Sequence, residues 1–323
     1  MGNFLVTGSA GFIGCRVSEM LIEAGHTVTG LDNLNDSYDL RMKEYRLRKL
    51  YSLPGFSFHK LDISEYKALD DLPSFDAVLN LAARAGVRAS VENPWAFLET
   101  NVKGTLNLLE LCRKRGIRKF VQASTSSIYG ANALYPTPET ADSDHPLQPY
   151  AASKKAAEAL SHSYHALYGI DVSIVRYFTV YGPAGRPDMS MFRFTKWICE
   201  GETLHLYGNG EQSRGFTYID DIALGTIAAL KPIGFEVINL GGHEVITINA
   251  LIALLEKRIG RRALLQRHPP NQADMQTNQA DVAKAYNMLG WRPKVGLLEG
   301  VGKLVDWYLS ERAWAKGINT GES

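Results

Sequence analysis

Residues 4–32 spell out one supersecondary unit, and it limits what the whole chain can become. Phe4-Leu5-Val6 is a short apolar run that ends in Thr7-Gly8-Ser9-Ala10-Gly11-Phe12-Ile13-Gly14. Ile13, Val17 and Leu21 then recur at helical spacing, and Thr27-Val28-Thr29-Gly30-Leu31 ends at an acid, Asp32. Glycines at spacing three carry little weight alone in a chain with 29 of them, but these sit between a strand and a helix. There, glycine lets the backbone turn tightly and approach a pyrophosphate, which the helix N-terminus stabilises. A carboxylate ending the second strand accepts a ribose 2′-hydroxyl and repels a 2′-phosphate. Asn33, not Arg, follows Asp32, so the pattern favours NAD over NADP. Gly8, Gly11, Phe12, Ile13, Gly14, Asp32 and Asn33 are the candidate cofactor residues. Asp62 and Ile63, after the third apolar run, are candidate adenine contacts.

Apolar runs recur at 56–61, 77–81, 119–123, 172–177 and 236–240, with amphipathic stretches at 98–112 and 151–167. Alternating strand and helix signals predict an α/β fold, a Rossmann-type doubly wound parallel sheet. Beyond Tyr177 the chain turns loop-rich, with Gly, polar and aromatic residues over 201–215 and helical patterns at 251–259 and 301–309. The expected organisation is a cofactor domain, 1–178, joined by about 216–241, and a smaller substrate domain, 179–323. At 323 residues, two domains of about 150 are ordinary. A net charge of +1 offers no field for nucleic acid or anionic lipid. Cys15, Cys112 and Cys199 are too few and too scattered for a disulfide framework. No signal-peptide pattern and no long apolar run occur, so the expectation is a cytoplasmic protein that does not enter a membrane. His59 and His243 have no metal-ligand spacing, and no metal is expected.

Tyr followed four residues later by Lys occurs twice, at Tyr45/Lys49 and Tyr150/Lys154. Each pair shares a helix face. Tyr45 lies in a basic stretch, 41–49, that reads as a solvated face. Tyr150 follows Pro149, a helix-start signal, and comes 25 residues after Thr125, at the carboxyl end of the 119–123 strand. Ligands of open α/β sheets bind at that edge. An ammonium near a phenol lowers its pKa, which suits Tyr150 as a base.

Together the motifs resemble the extended short-chain dehydrogenase/reductase family, and within it the nucleotide-sugar 4-epimerases. They are residues 7–14, Leu81-Ala82-Ala83, Asn101, the run from Ala123 to Gly130, Tyr150/Lys154, Arg176-Tyr177-Phe178, and Arg214 with Asp220-Asp221-Ile222. The resemblance implies Thr125, Tyr150 and Lys154 as the catalytic triad. It also implies tightly held NAD, with Leu81, Ala82, Ala83, Asn101 and Tyr177 along the cofactor. Thr125-Ser126-Ser127 lacks the acid that sugar 4,6-dehydratases and UDP-glucuronate decarboxylases carry there, which implies simple epimerisation.

The loops 32–38, 85–88 and 181–189 look most like those of UDP-glucuronate 4-epimerases. By that likeness Arg186, Thr179, Ser126 and Ser127 face the sugar carboxylate, and Arg88 belongs to the substrate loops. Arg214 pairs with the diphosphate, and His205 and Tyr207 line the uracil. Asn278 stands at a gatekeeper position. Asn271 replaces a second diphosphate arginine, for which Arg267 is a stand-in. UDP-glucose and UDP-N-acetylglucosamine stay open as alternative substrates, as does a non-catalytic NAD-binding regulator. Family members dimerise through helices matching 94–113 and 149–168, so a homodimer is expected; Leu106, Leu109, Ala156 and Leu160 serve such an interface or the core.

Overall fold

The computed structural model describes residues 1–130, 134–242, 244–269 and 277–321. Its strands are β1 (Asn3–Thr7), β2 (Thr27–Asp32), β3 (Phe56–Lys60), β4 (Ala77–Asn80), β5 (Lys119–Thr125), β6 (Asp171–Tyr177), β7 (Thr179–Tyr181), β8 (Thr203–Tyr207), β9 (Ser213–Tyr218), β10 (Phe235–Leu240), β11 (Val245–Thr247) and β12 (Leu264–His268). Seven form one parallel sheet in the order β10-β6-β5-β4-β1-β2-β3. The winding starts at β1, runs outward to β3, then reverses to β4 on the other side. A ligand crevice opens where the order reverses. Every apolar run expected as a strand is a strand of this sheet, which is the expected doubly wound architecture.

Apolar side chains point both ways along each strand. Leu5, Val78, Phe120 and Ile174 pack with Leu108, Leu109 and Leu111 of the helix Gly104–Arg115. Val6, Leu79, Val121 and Val175 pack with Val17 and Leu21 of the helix Phe12–Glu23 and with Ile222 and Ala223. Both faces are covered, so the strands read as nearly continuous apolar runs. No helix among the described residues is long and apolar enough to cross a membrane.

The remaining strands make a three-stranded sheet, β11-β9-β7, and a parallel pair, β12-β8. A separate core of Trp197, Leu204, Phe216, Leu251, Leu255 and Leu304 holds them to the helices Ile248–Ile259 and Leu297–Ser310. Residues 201–215, read as loop from sequence, in fact carry β8 and the start of β9. The signal was there: Leu204 and Leu206 are buried while His205 and Tyr207 are half-buried, a period of two.

The basic stretch 41–49 is a second correction. It lies in the helix Leu40–Tyr51, which buries Met42, Lys43, Arg46, Leu47 and Leu50 and exposes Arg41, Glu44, Arg48 and Lys49. Tyr45 accepts from Trp307 Nε1 at 3.0 Å and donates to Glu311 at 3.1 Å, so its hydroxyl is engaged by the C-terminal helices.

Under the helix Pro149–Tyr168 lies a buried ion pair. Arg176 of β6 forks onto Glu158 at 2.9 and 2.7 Å, and Ser124 of β5 donates to the same carboxylate at 2.6 Å. Arg176 also reaches Tyr129, whose hydroxyl donates to Asn239 of β10 at 2.7 Å. Removing one partner of such a pair strands a buried charge, at a cost of about 3–5 kcal/mol. Glu158→Gln is expected to lower the unfolding free energy by about that much, measured by urea denaturation; a loss below about 1 kcal/mol would mean that the pair behaves as an exposed one.

Candidate active site

The glycine loop explains its own spacing. Gly8 has φ +67°, and a Cβ there would lie 2.8 Å from the Ala82 backbone. The Gly11 amide donates to the Gly8 carbonyl at 2.8 Å, and a Cβ on Gly14 would sit 2.2 Å from that same oxygen. The helix Phe12–Glu23 therefore meets the loop at a distance only glycine permits. No side chain caps its first turn and no acid lies in it, so the amides of Phe12 and Ile13 suit an anion. These residues fit the diphosphate of NAD.

Asp32 ends β2, buried, with Leu34 N at 2.8 Å and Lys43 Nζ at 3.2 Å on Oδ1. Among the described residues Oδ2 takes no bond, and it is the atom a ribose hydroxyl can reach. Asn33 donates to Asp62 at 2.7 Å, and Ser64 adds its amide and hydroxyl to that carboxylate. Burial opposes the charge on Asp62, yet these bonds hold it below the usual carboxylate range. Ile63 is core, packed on Gly104.

Leu81, Ala82 and Ala83 follow β4 half-buried at the crevice, with the Ala82 amide donating to Thr7 Oγ1 at 3.1 Å. Asn101 lies in a π-helical turn, Leu98–Lys103. Its amide is fully engaged by Arg84 N and O, at 2.9 and 3.0 Å, and by Ser153 Oγ at 2.9 Å. It fastens the 81–86 loop to the helix that carries Lys154. Tyr177 donates to or accepts from Thr226 at 2.8 Å inside the core, so only its backbone faces the sheet edge.

Thr125 and Tyr150 share a hydrogen bond at the end of β5. Burial pushes the Tyr150 phenol above its ordinary value, and the Thr125 bond and the Arg186 charge pull it partly back. The expectation that Lys154 lowers Tyr150 is not met by the protein's own groups. Burial holds the Lys154 ammonium down to about 8, against the pull of Glu158, so it keeps its charge at neutral pH.

Arg186 stands close enough to Tyr150 for each to act on the other. Its Nε and Nη2 fork onto Asp188 at 3.1 and 2.5 Å, and Nη2 also reaches Ala85 O at 3.4 Å. Nη1 has no partner among the described residues. Ser127 accepts from Thr125 Oγ1 at 3.2 Å, Ser126 accepts from Asn278 at 3.3 Å, and Thr179 begins β7 just past Tyr177. Thr125, Ser126, Ser127 and Asn278 are thus one cluster.

At the other end, His205 Nδ1 bonds His268 Nε2 at 2.8 Å, and the Tyr207 ring carries His268 at 4.9 Å and the Arg88 guanidinium at 5.3 Å. Arg214 donates to Ser213 O at 2.8 Å. Arg267 is engaged by Asn209 O at 3.0 Å; Asn271 and His243 lie outside the described residues. Sequence reasoning missed Arg193. Its Nε is buried without a hydrogen bond, its guanidinium lies 4.6 Å from the Trp197 ring centre, and burial and the nearby Arg88 both work against its charge. Two crowded arginines favour an anion between them. Lys43 and Arg46 were missed for a different reason: the apolar neighbours Met42, Leu47 and Leu50 that place them inside were read as incidental to a charged run.

The glycine loop, the edge acid and the Tyr-Lys helix converge on one carboxyl-end crevice. Residues 4–241 match the model of the NAD dependent epimerase/dehydratase family, and the chain belongs to that family. It is 53% identical over 311 residues to a UDP-glucuronate 4-epimerase of Thermodesulfobacterium geofontis, covering 95% of this chain and 96% of that one. A UDP-glucuronic acid 4-epimerase from Bacillus cereus, solved with UDP-glucuronic acid and NAD, superposes with a TM-score of 0.88 at 36% identity, covering 96% and 99% of the two chains. A Thermotoga maritima UDP-glucose 4-epimerase solved with UDP-glucose also reaches 0.88, at 34% identity, with 96% and 99% covered.

The Lys154 environment gives a signed expectation. Its folded pKa, about 8, lies below the ordinary 10.5, so the folded state carries the cost of a buried charge below about pH 8. As pH rises from there to the unfolded value, the unfolded chain binds the extra proton and stability increases. Cofactor-free Lys154→Met is therefore expected to exceed the parent in stability by about 2–3 kcal/mol at neutral pH. The gap should close towards about pH 10, as read from urea unfolding at both ends. A gap that stays constant would remove the buried-charge account.

Proposed function

We propose that this protein inverts C4 of UDP-glucuronate to give UDP-galacturonate. The observation that carries the reading is Arg186 beside the Tyr150 phenol, one guanidinium nitrogen without a partner among the described residues. The fold alone does not choose the sugar, since uronate and hexose epimerases superpose equally well. The high identity to a UDP-glucuronate 4-epimerase supports the uronate.

NAD, when bound on the glycine loop, Asp32 and Asp62, supplies the acceptor and donor of the C4 hydride and a positive ring charge that favours phenolate. Tyr150 takes the proton of the sugar 4-hydroxyl, and Thr125 holds that oxygen. Lys154, one turn along the same helix, positions the nicotinamide ribose and adds positive charge. The 4-keto sugar then turns over and regains hydrogen on its other face, with Tyr150 returning the proton. A ketone at C4 is β to the C5 carboxylate, which makes decarboxylation easy. Arg186 Nη1, Thr179, Ser126 and Ser127 hold the carboxylate through charge-assisted bonds so that its C–C bond does not align with the ketone. Tyr207 and His205 take the uracil. Arg214 takes the diphosphate, and Arg193 with Arg88 supplies the cation that Asn271 does not. Residues 1–178 with 216–241 act as the cofactor unit and the rest as the sugar-nucleotide unit.

The test compares kcat/KM for UDP-glucuronate and UDP-glucose. Wild type is expected to prefer the uronate, and Arg186→Ala to lose about thirtyfold more on it than on the hexose, the value of one desolvated charged hydrogen bond at about 2 kcal/mol. Equal losses, or a wild type that prefers UDP-glucose, would replace this reading with a neutral-sugar epimerase.

We also read the protein as a cytoplasmic homodimer. Three buried free cysteines suit a reducing compartment. Trp95, 74% exposed, and the exposed Val91, Leu98 and Leu106 lie on or beside the helices 94–115 and 149–168. Of the residues weighed from sequence, Leu109 is core and Leu160 packs against it, while Leu106 and the half-buried Ala156 remain at the surface. Trp95→Glu is expected to shift wild-type dimers to monomers in sedimentation; a monomeric wild type would overturn this part.

A further inference from the structure

We infer that Arg46 is a positioning residue that couples the cofactor loop to the loop that reads the sugar, and so helps set the preference for a uronate. Arg46 is 2% exposed, and no carboxylate pairs with it among the described residues. Its donors go to main-chain oxygens on two loops and to one phenol oxygen. Nε and Nη2 reach Ala184 O at 3.1 and 2.7 Å, and Nη2 reaches Gly185 O at 3.1 Å. Nη1 reaches Ala10 O, between Gly8 and Gly11, at 3.2 Å and Tyr38 Oη at 2.8 Å. The rings of Phe12 and Tyr38 lie 5.8 and 5.5 Å from the guanidinium carbon.

A buried cation bonded, among the described residues, only to neutral acceptors is a poor device for stability alone, because dipoles offset its desolvation less than a paired carboxylate would. What the planar fork does well is fix several acceptors at once in defined directions. The acceptors here are telling. Ala184 is held at φ +53°, a left-handed conformation unusual for alanine, and Ala184 and Gly185 lead directly into Arg186. Tyr38, held by the same guanidinium, lies under Arg186 at 5.9 Å and near Lys43 at 5.6 Å. Lys43 in turn binds Asp32. One side chain thus sets the place of the phosphate loop, the backbone before Arg186 and the ring beneath it. With Arg46 gone, Ala184 is free to relax and Arg186 loses its register against the carboxylate. Loosening of the phosphate loop falls on both sugars alike, whereas the lost register falls on the uronate alone.

The inference rests on the uronate reading above, and the experiment separates the two. Arg46→Met, Arg46→Lys and Tyr38→Phe are compared with wild type for kcat/KM on UDP-glucuronate and UDP-glucose and for the share of uronate product that appears as a UDP-pentose. Arg46→Met is expected to lower the uronate-to-hexose ratio at least about tenfold and to raise the pentose share, beyond any loss common to the two sugars. Arg46→Lys, which keeps the charge but not the fork, is expected to fall between the two. Tyr38→Phe, which deletes one acceptor, should shift the ratio about threefold in the same direction, and it decides the matter should neither Arg46 variant fold. A ratio that stays at the wild-type value while both activities fall together would show a structural role only and overturn the inference. Wild-type protein inert towards UDP-glucuronate would overturn the substrate reading, and this inference with it.

Discussion

The pairing of Glu158 with Arg176 is the constraint on which the site is built. Glu158 lies one turn beyond Lys154, and Ser124, which also bonds it, precedes Thr125. The pair therefore pins the Tyr150/Lys154 helix against the ends of β5 and β6, and through Tyr129 and Asn239 against β10. A polar network this deep is tolerable only because each member has a partner. It gives the helix one seating on the sheet, where apolar packing alone would accept small slides.

The same helix is held from its other side by Asn101, through Ser153. Asn101 sits in a widened helical turn, a local departure from α geometry that often accompanies function. Beside these two fasteners the Tyr150 phenol is half-buried and the Lys154 ammonium buried, and desolvation works against the charged form of each. The site is arranged for what it must do with ligands, at some cost to the protein without them.

The sheet was legible because its inner strands are buried on both faces, so short apolar clusters recur from residues 4–6 to Val237-Ile238, broken by single polar residues. The glycine loop and Asp32 were legible because backbone sterics and charge leave few alternatives at those positions. Tyr150 was separable from Tyr45 by the proline before it and the strand upstream. Lys43 and Arg46 were not legible as buried groups, since a run of lysines and arginines reads as solvated unless the apolar residues at three- and four-residue spacing are weighed with it. β8 escaped because glycine-rich flanks masked a five-residue alternation. Arg193 carries no local signal, because its meaning comes from Arg88, more than a hundred residues away.

The glycine loop has a consequence for how such a chain can vary. The Gly8 carbonyl is touched by the Gly11 amide and would be struck by any side chain at position 14, so the glycines themselves admit no change. The residues between them look outward. Ser9 donates from its amide to Leu31, Ala10 accepts from Arg46, and Phe12 packs among residues of the second core. The glycines fix the shape of the loop, and the intervals carry the joints to the rest of the molecule. Substitutions in those intervals can change how firmly the two halves are tied while leaving the dinucleotide cradle as it is.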